Sequence, residues 1–167
     1  MTKLILNIAL VMILFASNAI GQTFSSSPAA SIPDDRTLNC YDITVSGVGT
    51  LNSSNGLETV CIDITHTWDN DLDISLVAPD GTTINLSSDN GGSSNNYTST
   101  CFNMSGGTNI TSGYAPFTGT YVPEGDLADI NNGQNGDGTW QLCITDDSGG
   151  DSGTLNSWDM EFGPNPA

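Results

Sequence analysis

Downstream of residue 40 the apolar positions recur every second residue. Ile43 and Val45 alternate with polar neighbours, and Val60, Ile62, Ile64, His66 and Trp68 alternate with Cys61, Asp63, Thr65 and Thr67. Leu72, Ile74 and Leu76 alternate with Asp71, Asp73 and Ser75, and the rule returns at Ile84 and Leu86, at Trp140, Leu142 and Ile144, and at Trp158, Met160 and Phe162. Successive side chains of a strand point to opposite faces, so each run predicts a strand with one buried face. The Val, Ile, Thr and aromatic content of these runs suits a pleated, half-buried surface. Turn clusters separate them: Asn52-Ser53-Ser54-Asn55-Gly56, Pro79-Asp80-Gly81, Asp89-Asn90-Gly91-Gly92, Asn135-Gly136-Asp137-Gly138 and Ser148-Gly149-Gly150. Asn, Asp and Gly supply the side-chain bonds and positive φ that tight turns require. No ten-residue window carries a helical stripe. Short strands with frequent turns predict an all-β sandwich or barrel, spanning residues 32–163, with a tail at 164–167 and a surface loop from Asn103 to Gly113.

The N-terminus changes the picture of where this domain works. Lys3, the apolar run Leu4 to Phe15 and the small residues Ala19-Ile20-Gly21 before Gln22 have the layout of a cleaved secretory signal over residues 1–21. The run is shorter than the roughly 20 residues that cross a bilayer, and no second segment predicts membrane insertion after cleavage. Gln22 to Ser31, rich in Ser, Pro and Ala, reads as a flexible leader. Cleavage leaves a secreted or cell-surface domain of about 146 residues, large enough for one core, in which Arg36 stands alone against 19 acidic residues, a formal charge near −18. Such a surface repels phosphate, which argues against nucleic acid and anionic membranes as partners. Clustered carboxylates suit a hard cation, and Ca²⁺ is the natural one outside cells.

Four cysteines, Cys40, Cys61, Cys101 and Cys143, predict two disulfides in a secreted domain, with three pairings open. A hairpin flanked by Cys40 and Cys61 favours Cys40–Cys61 and Cys101–Cys143. The sole histidine, His66, falls on the core face of its run and reads as structural. No nucleophile motif accompanies it, so the chain is expected to be non-catalytic. Calcium has the stronger candidates. Asp69, Asp71 and Asp73 stand at i, i+2 and i+4, which on an extended chain puts three carboxylates on one face. Asp146, Asp147 and Asp151 surround a Ser-Gly-Gly turn that can offer carbonyls beside the acids, and Asp89 is a weaker candidate. Five N-x-S/T sequons, at Asn52, Asn85, Asn96, Asn103 and Asn109, are no more than this Ser- and Thr-rich composition produces.

An ordered series of motifs runs through the domain: Ile32-Pro33-Asp34; Ile64-Thr65-His66-Thr67 with Asp71-Leu72; Leu76-Val77-Ala78-Pro79-Asp80-Gly81-Thr82; Phe117 to Gly125; Asn135-Gly136-Asp137-Gly138-Thr139-Trp140; and Gly150-Asp151-Ser152-Gly153-Thr154-Leu155-Asn156-Ser157-Trp158. The series resembles the P domain, or P/Homo B domain, of subtilisin-like proprotein convertases, in the versions found in secreted bacterial proteins. The resemblance implies a jelly-roll β-sandwich of about eight antiparallel strands, without catalytic residues, that packs on a protease and tunes its calcium and pH dependence. It places Asp71 on the family's Asp-Leu position and Asp146 and Asp151 on its late acidic turn. The family's acidic Phe-Asp-Asp stretch is replaced by Phe102-Asn103-Met104. Three roles are expected of such a chain without a protease domain of its own. One is a calcium-stabilised module that binds an extracellular protein or glycan. Another is a filament or matrix subunit that self-assembles by donating its leader strand or by Ca²⁺ bridging. The third is an accessory to a separately encoded subtilisin-like protease.

Overall fold

The computed structural model describes residues 21–167; the signal segment lies outside them, apart from Gly21. The described residues form ten strands: β1 (Gln22–Ser26), β2 (Ala30–Ile32), β3 (Asn39–Val45), β4 (Gly56–His66), β5 (Leu72–Val77), β6 (Thr83–Ser88), β7 (Tyr97–Phe102), β8 (Phe117–Tyr121), β9 (Gly138–Asp146) and β10 (Gly153–Gly163). Helical structure among the described residues is confined to 3₁₀ turns at Asp69–Asp71, Ile110–Ser112 and Leu127–Ile130. One sheet has the order β1-β10-β4-β7-β8, with β2 also paired to β10, and the other has the order β3-β9-β5-β6. The long-range pairs β3–β9 and β4–β10 set early and late strands side by side in opposite sheets, the winding expected of a jelly roll.

The period-two residues meet between the sheets. Ile62, Ile64, Trp158, Met160 and Phe162 from one sheet face Ile74, Leu76, Trp140, Leu142 and Ile144 from the other, all nearly or fully buried. Trp140 and Phe162 pack edge to face with ring centroids 5.3 Å apart, a favoured aromatic geometry. Trp140 Nε1–H donates to the Gly136 carbonyl at 2.8 Å, so the turn before β9 satisfies the buried indole. The loop expected at Asn103–Gly113 is present, but Ile110 is fully buried within it.

Four expectations are corrected. The leader is not free: β1 pairs with β10 from Gln22↔Phe162 to Ser26↔Trp158, and Phe24 packs on Phe162 at 5.9 Å. These two short strands raise the count from eight to ten, and donation of the leader to a neighbour would first require opening its pairing within the chain. The sandwich is not wholly antiparallel, because β7 and β8 run parallel. The long connection after Phe102 supplies the crossover that a parallel pair needs. Trp68 leaves the core face: β4 ends at His66 and Trp68 is 42% exposed, because the chain turns into the Asp69–Asp71 3₁₀ element.

The disulfides, finally, join Cys40 to Cys143 and Cys61 to Cys101. Their register explains the pairing: Cys40 sits opposite Cys143 across β3–β9, and Cys61 opposite Cys101 across β4–β7, each with Cα atoms 4.0 Å apart. Cys40 and Cys61 belong to strands of different sheets, so no hairpin joins them. Each bridge closes a long loop, with separations of 103 and 40 residues. Chain-entropy arguments give about 5 and about 4 kcal/mol of stabilisation for such loops. Urea unfolding of Cys40→Ser/Cys143→Ser and of Cys61→Ser/Cys101→Ser is expected to show losses of that order, larger for the first pair. Equal unfolding free energies for wild type and both variants would contradict this account.

Candidate functional site

The acidic residues singled out above gather at one end of the sandwich, where the β4–β5, β6–β7 and β9–β10 connections meet. His66, the last residue of β4, is the pivot. Its ring is fully buried, as is Asp146 at the end of β9, and Nε2 lies 3.1 Å from Asp146 Oδ2. An ionised Asp146 requires Nε2 to carry a proton and donate it. Nδ1 then accepts from the Trp68 N–H at 3.2 Å in the neutral ring, or donates to the Trp68 carbonyl at 2.9 Å in the imidazolium. The expectation of a buried, hydrogen-bonded histidine is met. Gly153 of β10 lies so close that a Cβ there would meet the imidazole and the Thr65 carbonyl, so the ring is clamped between strands and closed to any substrate.

Asn96, just before β7, holds the other side. It adopts φ +79°, a left-handed conformation for which Asn is enriched. From there its Oδ1 accepts from the His66 N–H at 3.0 Å, and its own N–H donates to Asp69 Oδ1 at 2.7 Å. Asp69 is fully buried. Burial pushes its carboxyl up to about 6, against the lowering effects of the Asn96 N–H and of His66. Asp69 Oδ2 and Asp146 Oδ1 are buried with no hydrogen-bond partner. Buried polar atoms normally have one, and an unsatisfied charged group carries a desolvation cost.

Asp71 is 7% exposed and its carbonyl accepts from the Asp147 N–H at 2.8 Å. Burial raises its carboxyl above the ordinary value, and the negative charges of Asp146, Asp151 and Asp147 add to the effect while His66 opposes it. Asp151 Oδ1 accepts from Thr67 Oγ1 at 2.8 Å. Further along, burial and the charges of Asp73, Asp147 and Glu124 raise the Asp89 carboxyl. Asp73 takes a hydrogen bond from Ser88 Oγ. The acids therefore interact in two sets, Asp71 with Asp146, Asp147 and Asp151, and Asp89 with Asp73, Asp147 and Glu124, Asp147 belonging to both.

The shared face expected for Asp69, Asp71 and Asp73 is not formed. The 3₁₀ turn over Asp69–Asp71 replaces the extended chain, sending Asp69 towards Asn96, Asp71 towards the β9–β10 turn, and Asp73 outward beside Ser88. Asp146, Asp147 and Asp151 do lie with Asp71. Among the described residues no group of three or more His, Cys, Asp or Glu side chains is arranged to hold a metal ion. The residues not foreseen as part of this end are Glu124 and Asn96. Glu124 Oε1 accepts from the Ser88 N–H at 2.8 Å and from Asn90 Nδ2 at 2.6 Å, tying the β6–β7 loop to the segment after β8. Nothing local in the sequence marks that role, because both partners lie far away along the chain.

The described residues thus form an all-β sandwich with a buried histidine–aspartate pair at an acidic loop end. The family model described as the proprotein convertase P-domain matches residues 58–162, and the chain belongs to that family. It is 30% identical over 143 residues to leupeptin-inactivating enzyme 1 of Streptomyces exfoliatus, a match covering 85% of this chain and 26% of that protein. It is also 30% identical over 142 residues to the transglutaminase-activating metalloprotease of Streptomyces mobaraensis, covering 85% and 15%. The chain thus spans about a quarter or less of the length of these relatives. Among solved structures, the serine protease of Aeromonas sobria matches with a TM-score of 0.52 and 20% identity, over 88% of this chain and 27% of that one. The complex of that protease with its chaperone matches at 0.53 and 19%, over 90% and 28%. These structural likenesses speak to the fold.

The buried pair makes one direct prediction. Replacing His66 by Leu leaves Asp146 in the core with neither oxygen paired. Removing one partner of such a pair costs about 3–5 kcal/mol, and urea unfolding in the presence of chelator is expected to show a loss of that size. A variant as stable as wild type would mean that the pair does not support this end of the fold.

Proposed function

We propose that this chain is a secreted, non-catalytic binding module of the P-domain family, stabilised by Ca²⁺ at its acidic end and docking on an extracellular protein or glycan. The observation that carries the calcium reading is the pair of wholly buried carboxylates, Asp69 and Asp146, each with an oxygen left unpartnered. Oxygen-only ligand sets of six to eight are what Ca²⁺ takes, and this end offers carboxylates, Asn and Ser side chains and turn carbonyls, with its one histidine already engaged by Asp146. Asp71 and Asp146 would hold the ion. Asp147 and Asp151, on the Ser148-Gly149-Gly150 turn, would complete it once that turn moves to bring them in. The ion would offset the repulsion among these acids and give the orphaned Asp146 oxygen a partner. It supplies no chemistry; its role is to fix the loops.

The loops so fixed carry Trp68, 42% exposed, and the neighbouring segment carries Tyr114, 87% exposed. A Cβ on Gly91 would touch both Asp69 and Ala115, at 2.8 and 3.3 Å, so the backbones bearing these two aromatics converge. Trp and Tyr are the side chains that most often anchor interfaces. A second reading, as an accessory to a protease, is favoured by the relatives: both curated matches are named as an enzyme or a protease and are several times longer than this chain. The first reading needs no such enzyme.

The test is thermal unfolding with millimolar Ca²⁺ and with chelator. A ligand bound only by the native state adds about 2.7 kcal/mol at a hundredfold excess over Kd, a rise in midpoint on the order of 5–10 °C for a domain of this size. Asp71→Asn sharpens it. Removing a buried, repelled charge is expected to leave the chelated protein at least as stable as wild type while abolishing most of the calcium response. A wild-type midpoint indifferent to Ca²⁺ would remove the ion from the account.

A further inference from the structure

The outer face of the six-stranded sheet, away from the acidic end, carries a cavity of about 230 Å³. A sheet face is normally flat, and two β-bulges make the hollow here. In β7 the pairing with β4 skips between Ile62 and Ile64, and that with β8 skips between Thr98 and Thr100; the extra residue, Ser99, has φ +48°. In β10 the register with β4 shifts between Leu155 and Ser157, leaving Asn156 as the extra residue. Bulges redirect side chains and sharpen local twist.

Both bulges grip the same carboxylate on the central strand. The Ser99 N–H donates to Asp63 Oδ2 at 3.1 Å, and Asn156 Nδ2 donates to Asp63 Oδ1 at 2.8 Å. The Cys61–Cys101 disulfide contributes an uncharged sulfur wall, Ser99 and Ser157 lie at the rim, and Asp159 closes the side nearest β1. Asp159 stands opposite Cys61 in the β10–β4 register. Its carboxyl is raised above the ordinary value by burial, so its charge is poorly solvated and would gain from a cation. Each Asp63 oxygen retains a free lone pair after its one hydrogen bond.

We infer that this cavity seats a cationic side chain, a lysine or an arginine, presented by a protein that docks on this face of the sheet. Its dimensions and lining match that chemistry. An apolar wall takes the methylene stem, which such side chains bury readily, and two carboxylates on neighbouring strands take the charged head. The inference rests on the reading of the chain as a binding module and adds the chemical class of the partner group; it does not involve calcium.

The experiment is an amide NMR titration of the folded domain in chelator and physiological salt, which screens the general negative field. The probes are N-acetyl-lysine N′-methylamide and its neutral counterpart, N-acetyl-norleucine N′-methylamide. The lysine probe is expected to move the amides of Cys61, Ser99, Cys101 and Ser157 with millimolar affinity, and the norleucine probe to bind at least tenfold more weakly. Asp159→Asn is expected to weaken the lysine probe at least fivefold with the remaining spectrum unchanged, whereas Asp80→Asn, a surface acid elsewhere, leaves it alone. Equal binding of both probes, perturbation centred on the acidic loops, or no effect of Asp159→Asn would each overturn the inference. Because the calcium response is read separately by thermal unfolding, a negative titration beside an intact response removes the cavity assignment alone.

Discussion

The hydrogen-bonded pair of His66 and Asp146 joins the two sheets at one end of the sandwich, and much of what surrounds it follows from that contact. His66 ends β4 in one sheet and Asp146 ends β9 in the other. A full carboxylate in the interior needs a partner or a cation, and a single imidazole satisfies one of its two oxygens. The remaining oxygen, with that of Asp69, leaves this end short of positive charge. The rest of the core is largely apolar, and the other buried side-chain atoms without a partner, Trp158 Nε1 and Gln134 Oε1, are uncharged. The molecule therefore divides into an inert, disulfide-braced body and one end whose electrostatics are unfinished.

That division organises the surface as well. The net charge is negative, but at the loop end burial and neighbouring carboxylates raise the pKa of Asp71 and Asp89, whereas Asp137, on an exposed turn, is lowered by the backbone N–H groups of Gly49 and Val48. Turn acids are thus of two kinds. Some are satisfied by their own loops and serve the fold. Others face each other across loops and repel, as Asp71 does with Asp146, Asp151 and Asp147. Composition counts both alike, and geometry separates them.

The period-two alternation was enough to place six of the ten strands, β3 to β6, β9 and β10, with the core residues on them, because a strand side chain reports its face through local position alone; β7 and β8, with the buried Tyr97, Phe102 and Phe117, carried no such run. It also put His66 inside. It failed at Trp68, where a 3₁₀ turn interrupts the run, and for the same reason it misjudged Asp69, Asp71 and Asp73. It failed for the leader, whose Ser-rich composition carries no pattern but whose backbone completes the edge of β10. The disulfide pairing depended on which strands are neighbours, a property of topology that cysteine spacing does not encode. Asn96, counted only as part of a sequon, proved to be the pivot that fixes both His66 and Asp69; its left-handed backbone is invisible in the sequence, although Asn before a strand is a hint. Asp146, Asp147 and Asp151 were legible as a group because they lie close together along the chain, whereas their partners His66, Asp71 and Thr67 come from the distant β4–β5 segment.

The central claim is that the buried carboxylates at this end exist to be completed by a cation. Trp68 sits beside Asp69, partly exposed, and can act as an antenna for terbium(III), which mimics Ca²⁺. The most direct measurement is tryptophan-sensitised terbium emission, with Ca²⁺ as competitor. The account predicts emission that saturates, is displaced by Ca²⁺, falls in Trp68→Phe and is lost in Asp146→Asn. Emission that is absent, or that survives Asp146→Asn undiminished, would contradict it.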